Sequence, residues 1–394
     1  MLSEQSAATV RATLPAVGAA IGEITERFYA GLFAAHPELL RDLFNRGNQA
    51  AGTQKQALAG SIAAFATHLL EHPEQRPDAM LGRIAHKHAS LGIAPEQYEV
   101  VHQHLFAAIA DVLGEAVTPE VAAAWGEVYW LMANALVAIE KRLYEQSGSR
   151  GWREWEVVER IAETADVVSF RLRPVDGGPV AGFRAGQYVS VRVELADGAR
   201  QIRQYSLSGA PGGTVRQFSV KRVHGGATPD GEVSNHLHAR VREGDVLQLS
   251  EPYGDLVLDG VDGAPVLLAS AGIGVTPMIA MLAQLAADGH QAPVTVVHGD
   301  RSPAGHALRA DHEAYAAKLP EAAVHFWYEE GAEEGTHAGL VDLSGIDVAE
   351  GTRAYLCGPL PFMRAVRSQL IDKGVAPADI HYEVFGPDLW LAKS

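Results

Sequence analysis

A chain of 394 residues exceeds what one hydrophobic core holds, since cores stop growing at about 250–300 residues, so two or three domains are expected. Hydrophobic residues at 47% and charged residues at 20%, with 40 Gly and 20 Pro scattered along the chain, exclude a disordered or collagen-like protein. A formal net charge of −16 opposes non-specific binding to nucleic acid or an anionic membrane. The single cysteine, Cys357, excludes an intrachain disulfide and a multi-thiolate zinc or iron–sulfur site. With no basic-then-apolar leader, a reducing cytoplasm is the expected compartment.

Residues 1–147 read as a series of Ala- and Leu-rich helices, with apolar residues three and four apart. The small-residue segment Ser147-Gly148-Ser149 ends that pattern. Over residues 152–260, runs such as QYVSVRV, RQYSLS and RQFSVKRV alternate with Gly, Pro and Asp turns, which predicts an antiparallel β-domain closed as a small barrel. Over residues 264–394, short buried strands (PVLLAS, VTVVHG, VHFWYE, RAYLCG, HYEVFG) alternate with helices, which predicts a parallel sheet. Residues 263–287 carry no charge and are long enough to span a bilayer, but PVLLAS reads as a strand, AGIG as a turn and Thr276-Pro277 as an N-cap with proline at the first helical position. The fold class is thus an all-α domain, an antiparallel β-barrel and an α/β parallel-sheet domain.

In the helix AMLGRIAHKHASL, Met80, Ile84, His88 and Leu91 share a stripe, so His88 lies on the apolar face, while His86, about 200° away, faces outward. A lone histidine on such a face is more often a hydrogen-bonded core residue than a ligand. Other polar groups, however, aim inward from other helices. Tyr29 lies among Phe28, Leu32 and Phe33; Gln54 shares a stripe with Leu58, Ile62 and Phe65; Glu140 lies beside Leu136 and Leu143. Burying an ionised Glu demands a partner, with His88 or Tyr98 the expected one. Taken as a set, these groups point to a bound cofactor.

With FYAGLF, the Phe44-Asn45 corner, IAHKHASLGI with PEQY, and AWGEVYWLMANALVAIEKRLY, this half resembles the globin family, specifically the haem domain of flavohaemoglobins. The resemblance implies haem b, with His88 as the proximal iron ligand, Tyr29 and Gln54 on the distal side, and Phe44 packed on the haem. It also implies that Glu140 and Tyr98 form a network on His88, which would raise its electron donation to iron.

Period-2 alternation puts Arg203 and Tyr205 on one strand face, with Gln204 between them and Ser206 following. In GEVSNHLH, Ser234 reads as an N-cap, a helix start able to face a pyrophosphate. Together with Gly186-Gln187-Tyr188 and EPYGDL, these segments resemble the FAD domain of the ferredoxin–NADP reductase superfamily. That resemblance implies FAD bound by the run Arg203–Ser206, by Ser234 and by Tyr188, with Tyr205 stacked on the isoalloxazine and Ser206 near its N5.

Gly272-Ile273-Gly274-Val275-Thr276-Pro277 follows a buried strand and opens a helix, the geometry of a phosphate-binding turn, although Pro277 departs from the GxGxxG pattern. Cys357-Gly358-Pro359 ends another strand, where ligands of parallel sheets bind. Both segments resemble that superfamily's nicotinamide-nucleotide domain, and the resemblance places Cys357 and Gly358 beside the nicotinamide and Phe385 against the flavin ring. Asp300 favours NADH and the adjacent Arg301 favours NADPH, so the pair leaves the choice open. The whole chain therefore resembles a flavohaemoglobin, which implies a nitric oxide dioxygenase: NAD(P)H electrons pass through FAD to haem, and NO and O2 become nitrate. The same architecture is also compatible with reduction of hydroperoxides or NO, or with O2 carriage or sensing. The expected partners are small molecules, and a monomer is expected.

Overall fold

The computed structural model describes residues 2–50, 52–149, 151–226, 229–261 and 263–386; the side chains of residues 53–57 and 59 lie outside the description. Its contacts form two compact units, the first holding Met1–Gly151 and Val193–Ile202, the second Trp152–Arg192 and Arg203–Phe385.

The helical part of the first unit comprises α1 (Glu4–Ala35), α2 (Pro37–Asp42), α3 (Arg46–Ala50), α4 (Thr53–Glu71), α5 (Asp78–Leu91), α6 (Pro95–Leu113) and α7 (Pro119–Ser147). Ser3 caps α1 by accepting a hydrogen bond from the Ser6 N–H. Val10, Val17, Ile24, Phe28 and Leu32 then bury one face of α1 against α4, α6 and α7. α7 starts on a Thr118 cap with Pro119 in the first position and stops at Gly148, whose left-handed φ of 70° favours glycine. By length and composition α7 is apolar enough to cross a membrane, yet its Ala124, Trp125, Val128, Ala133 and Leu136 belong to the core of this unit.

From Arg153 the chain turns to strands: β1 (Arg153–Ala162), β2 (Val167–Pro174), β3 (Tyr188–Glu194), β4 (Arg200–Ser206), β5 (Arg216–Lys221) and β6 (Val246–Leu249), with α8 (Glu232–Arg240) before β6. Their order in the sheet is β4-β3-β6-β1-β2-β5, and its described pairings are antiparallel. A bridge between Leu207 and Phe218, with a 2.9 Å bond from the Ser208 N–H to the Gln217 carbonyl, joins β5 to the residues after β4 and closes the barrel. Trp155, Phe170, Leu172 and Phe218 fill it. One ion pair is also inside: Arg216, 1% exposed and lying 4.5 Å over the Trp155 ring, bonds Glu251 at 2.9 Å. Removing one member of such a pair leaves an unpaired buried charge, a cost of roughly 3–5 kcal/mol. Glu251 thereby anchors the EPYGDL segment in the barrel.

The last part comprises β7 (Val266–Ala271), α9 (Val275–Ala287), β8 (Val294–Asp300), α10 (Arg309–Ala316), β9 (Ala322–Tyr328), β10 (His337–Ala338), β11 (Arg353–Cys357), α11 (Leu360–Asp372) and β12 (Ile380–Glu383). The strands lie in the order β10-β9-β8-β7-β11-β12, and every pairing is parallel. In β7, residues Val266 to Ser270 are all buried, so both faces of this central strand are covered. The uncharged stretch 263–287 is therefore a strand, a turn and a helix. The two-residue β10 has no signal in the sequence.

Candidate haem, flavin and nucleotide sites

α5 carries His88, α6 carries Tyr98 and α7 carries Glu140, and the fold brings all three together. The His88 Nδ1 lies 2.9 Å from the Glu140 Oε1 and 2.8 Å from the Tyr98 hydroxyl, which donates to that same carboxylate oxygen at 2.5 Å. Glu140 is 2% exposed, so a carboxylate there depends on these partners. Burial, followed by the Glu140 charge, raises the Tyr98 phenol far above its ordinary range, so it stays a donor. Because a carboxylate only accepts, the proton sits on Nδ1 and the Nε2 lone pair is free for a metal.

The environment fits a haem. The fully buried residues of α5 are Leu81, Ala85, Ala89 and Ser90, whereas Met80, Ile84, His88 and Leu91 are only half-buried. The stripe that periodicity assigns to the core is thus an apolar face left partly open, with an imidazole held ready in its centre. His86 is half-buried too, so exposure does not separate the two histidines; the bond to Glu140 does. Tyr29 is buried on α1, stacked on Phe33 at 5.6 Å and edge-on to Phe44 at 6.0 Å. Phe44, half-buried, packs edge-on to Phe33 at 5.3 Å. Gln54 falls in the first turn of α4, and its side chain lies outside the described residues.

In β4, Arg203 and Tyr205 alternate with Gln204, whose amide donates to Ser190 at 2.9 Å inside the barrel. The Tyr205 ring stacks on Phe218 at 5.3 Å and 20°, and Ser206 is buried. Tyr188 pairs with Tyr253 of EPYGDL, and a Cβ on Gly254 (φ 128°) would strike the Tyr188 ring at 3.2 Å. At Gly186 (φ 104°) a Cβ would lie 2.1 Å from the Leu256 carbonyl. These glycines let EPYGDL and the Gly186–Tyr188 turn meet. Phe385, just after β12, is 46% exposed.

Two expected caps need correction. Ser234 is not the N-cap of α8; Gly231 is, and Ser234 sits at the third helical position. Its hydroxyl donates to the Gly231 carbonyl at 3.1 Å and accepts from the Val223 N–H at 3.1 Å. A Cβ at Gly231 would come within 2.7 Å of both Val223 and the Ser234 hydroxyl, so the tight entry selects glycine for the cap. Likewise α9 is capped by Gly274, not Thr276. The short turn Gly272–Gly274 runs straight into the helix, which puts Thr276 and Pro277 in its first turn, with the Thr276 hydroxyl donating to the Ile273 carbonyl at 3.0 Å.

The nucleotide turn is built from close approach. A Cβ on Gly274 would lie 2.2 Å from the Cys357 carbonyl oxygen and 2.8 Å from the Gly358 N, so the ends of β7 and β11 meet only through glycine. Gly272 adopts φ 53°. Cys357 is fully buried, and burial raises its thiol well above its ordinary value, which makes it a poor nucleophile. Lys221, at the end of β5, was not singled out by the sequence: its ammonium lies 3.7 Å from where a Gly272 Cβ would be, a cation beside the glycine turn. At the end of β8, burial pushes the Asp300 carboxyl up, but His298 and the Arg301 N–H outweigh it and hold it below its ordinary value. Arg301 points into solvent.

Comparison with known proteins agrees with this architecture in each part. A globin family model matches residues 26–136, an oxidoreductase FAD-binding domain matches 154–257, and an oxidoreductase NAD-binding domain matches 268–368. A flavohemoprotein of Rhizobium meliloti is 42% identical over 99% of this chain and 100% of its own length. One of Bordetella parapertussis is 45% identical over 98% of this chain and 99% of its own. In structure, the Malassezia yamatoensis flavohemoglobin, solved with bound FAD and haem, superimposes with a TM-score of 0.90 at 38% identity, covering 98% of this chain and all of that one. The FAD/NAD-binding domain of a Vibrio cholerae nitric oxide dioxygenase aligns over 60% of this chain and 99% of its own, with TM-score 0.56 and 38% identity. The chain is therefore an oxidoreductase with haem, FAD and NAD(P) as its cofactors, and it belongs to the flavohemoprotein family.

Proposed function

We propose that the chain is a nitric oxide dioxygenase that turns NO and O2 into nitrate with electrons from NAD(P)H, built of a haem domain (1–147), a FAD domain (152–260) and a nucleotide domain (264–394). The observation that carries this reading is the Glu140–His88 bond of 2.9 Å, with Glu140 almost fully buried. When bound, haem supplies one-electron and dioxygen chemistry, and FAD divides a hydride into single electrons. Glu140 accepts a hydrogen bond from the His88 Nδ1–H and would so strengthen the Nε2 lone pair as an iron ligand, a push suited to O–O chemistry rather than to storage. Tyr98 holds Glu140 in place by donating to it.

Tyr29, Gln54 and Phe44 would line the haem pocket, where the Tyr29 hydroxyl would offer a hydrogen bond to a negatively polarised diatomic ligand and the Phe44 ring would supply apolar packing. Arg203, Tyr205, Ser206, Tyr188 and the first turn of α8 would hold FAD, and Phe385 would pack beside its ring. Gly272, Gly274 and the first turn of α9 would face the pyrophosphate of the nicotinamide nucleotide, with Lys221 offering it a cation and Cys357-Gly358 bordering the nicotinamide. The protein works in the cytoplasm as a monomer.

The test is NO consumption by the full chain with NADH in air. One nitrate formed per NO consumed supports the reading. Consumption that persists at full rate without oxygen would favour NO reduction, and no consumption at all would leave a carrier or sensor.

A further inference from the structure

The haem side of the first unit is finished by a segment that is not helical. The turn between β3 and β4, residues 195–199, lies in that unit with the helices. Its Asp197 pairs with Arg46 at 2.7 Å. Arg200 donates to Asp42 through its backbone N–H at 3.0 Å and its guanidinium at 3.1 Å. Arg41 and Arg200 hold the Asp42 carboxyl far below the ordinary carboxylate range, although burial opposes them.

Gln201 goes further. It is fully buried, and its amide nitrogen faces three carbonyls, those of Leu40 (3.3 Å), Arg41 (2.9 Å) and Phe44 (3.3 Å). Its amide oxygen accepts from the Arg46 N–H at 3.4 Å. The end of α2 and the corner after it leave carbonyls that no helix satisfies, and Gln201 supplies the donor. That corner carries Phe44, whose ring packs on Phe33 and Tyr29.

We infer that Gln201 is a positioning residue of the haem pocket: by pinning the Leu40–Arg46 corner it sets where Phe44 stands against Tyr29. The inference rests on the reading of Phe44 and Tyr29 as haem-pocket residues. Gln201 comes two positions before Arg203 on β4, so one strand serves the haem corner and then the flavin.

The test is carbon monoxide rebinding after flash photolysis of the reduced full-length protein, for wild type, Gln201→Met, Gln201→Glu and Arg200→Ala, beside haem content, FAD content and the rate of FAD reduction by NADH. Gln201→Met keeps the volume and removes the donor. Its rebinding rate should rise by about threefold to tenfold, the scale of one lost hydrogen bond, with FAD reduction unchanged. Gln201→Glu, whose carboxylate faces the same three carbonyls without a proton to donate, should shift the rate in the same direction at pH 8 by at least as much. Arg200→Ala, on the exposed rim of the same clasp, should shift the rate the same way by less.

Rebinding identical to wild type in all three variants would overturn the inference while wild-type haem loading leaves the haem reading standing. Joint loss of haem and FAD in Gln201→Met, with wild-type rebinding in Gln201→Glu and Arg200→Ala, would also overturn it and leave Gln201 a folding residue. Wild-type protein that takes up no haem would overturn both readings together.

Discussion

His88 and Tyr29 can each be tested by a single substitution. Because the Nδ1 of His88 is committed to Glu140, His88→Ala should abolish or severely disorder haem binding, whereas His86→Ala should leave the visible spectrum nearly unchanged. Equal haem loss in both would contradict the assignment of the ligand. Tyr29→Phe removes one charge-assisted hydrogen bond, worth about 1.5–3 kcal/mol, so oxygen should leave roughly 10- to 150-fold faster. An unchanged off-rate in stopped-flow dissociation would take Tyr29 out of the pocket. His88 and Glu140 were legible in the sequence because an imidazole and a carboxylate on apolar helix stripes demand a reason. Lys221 was not: at the end of a strand it reads as a solvated side chain, and its neighbour Gly272 is far along the chain. Ser234 was misplaced for a local reason, since Ser is the commoner cap and only the closeness of Val223 reveals why Gly231 takes it.

Some features belong to whole elements. Under the end of β8 lie three buried histidines brought in by β8, the loop after it and α10. His298 bonds the Ser270 hydroxyl at 2.8 Å, His306 bonds the Tyr328 hydroxyl at 2.8 Å, and the His306 and His312 ring nitrogens stand 3.2 Å apart. Burial lowers the basicity of all three. Asp300 is the anion beside them, Lys221 and Arg309 the cations. A histidine depressed in the folded state takes up its proton more readily when unfolded, so its stabilising effect is complete above about pH 6.5 and is lost as pH falls below that. Three such groups give a slope of up to about 4 kcal/mol per pH unit. The melting midpoint followed by flavin fluorescence should fall steeply from pH 6.5 to 5.5, and His312→Phe should flatten the fall by about a third. An equal slope in that variant would contradict the account. Periodicity could not expose this cluster, because its contacts join five separate segments. It did expose β7 to β9, whose buried runs and turn residues carry their own signal; β10, two residues long, has none.

At the scale of the molecule, three sequence textures correspond to three architectures, and the flavohemoprotein relatives extend over nearly the full length of the chain. What the sequence left open was chiefly where distant segments meet: EPYGDL at the Gly186–Tyr188 turn, β11 at the Gly274 turn, Gln201 at the Phe44 corner. Each of these meetings depends on a glycine or a buried amide whose role is invisible without its partner. The claim joining all of them is that electrons from a nicotinamide reach the iron on His88 by way of the flavin. Anaerobic stopped-flow mixing of the oxidised full-length protein with NADH tests it directly, followed at the flavin band and at the Soret band together. The account predicts that the flavin bleaches first and that the Soret band then shifts to its reduced position in the same molecules. A flavin that bleaches fully while the Soret band stays oxidised would contradict it.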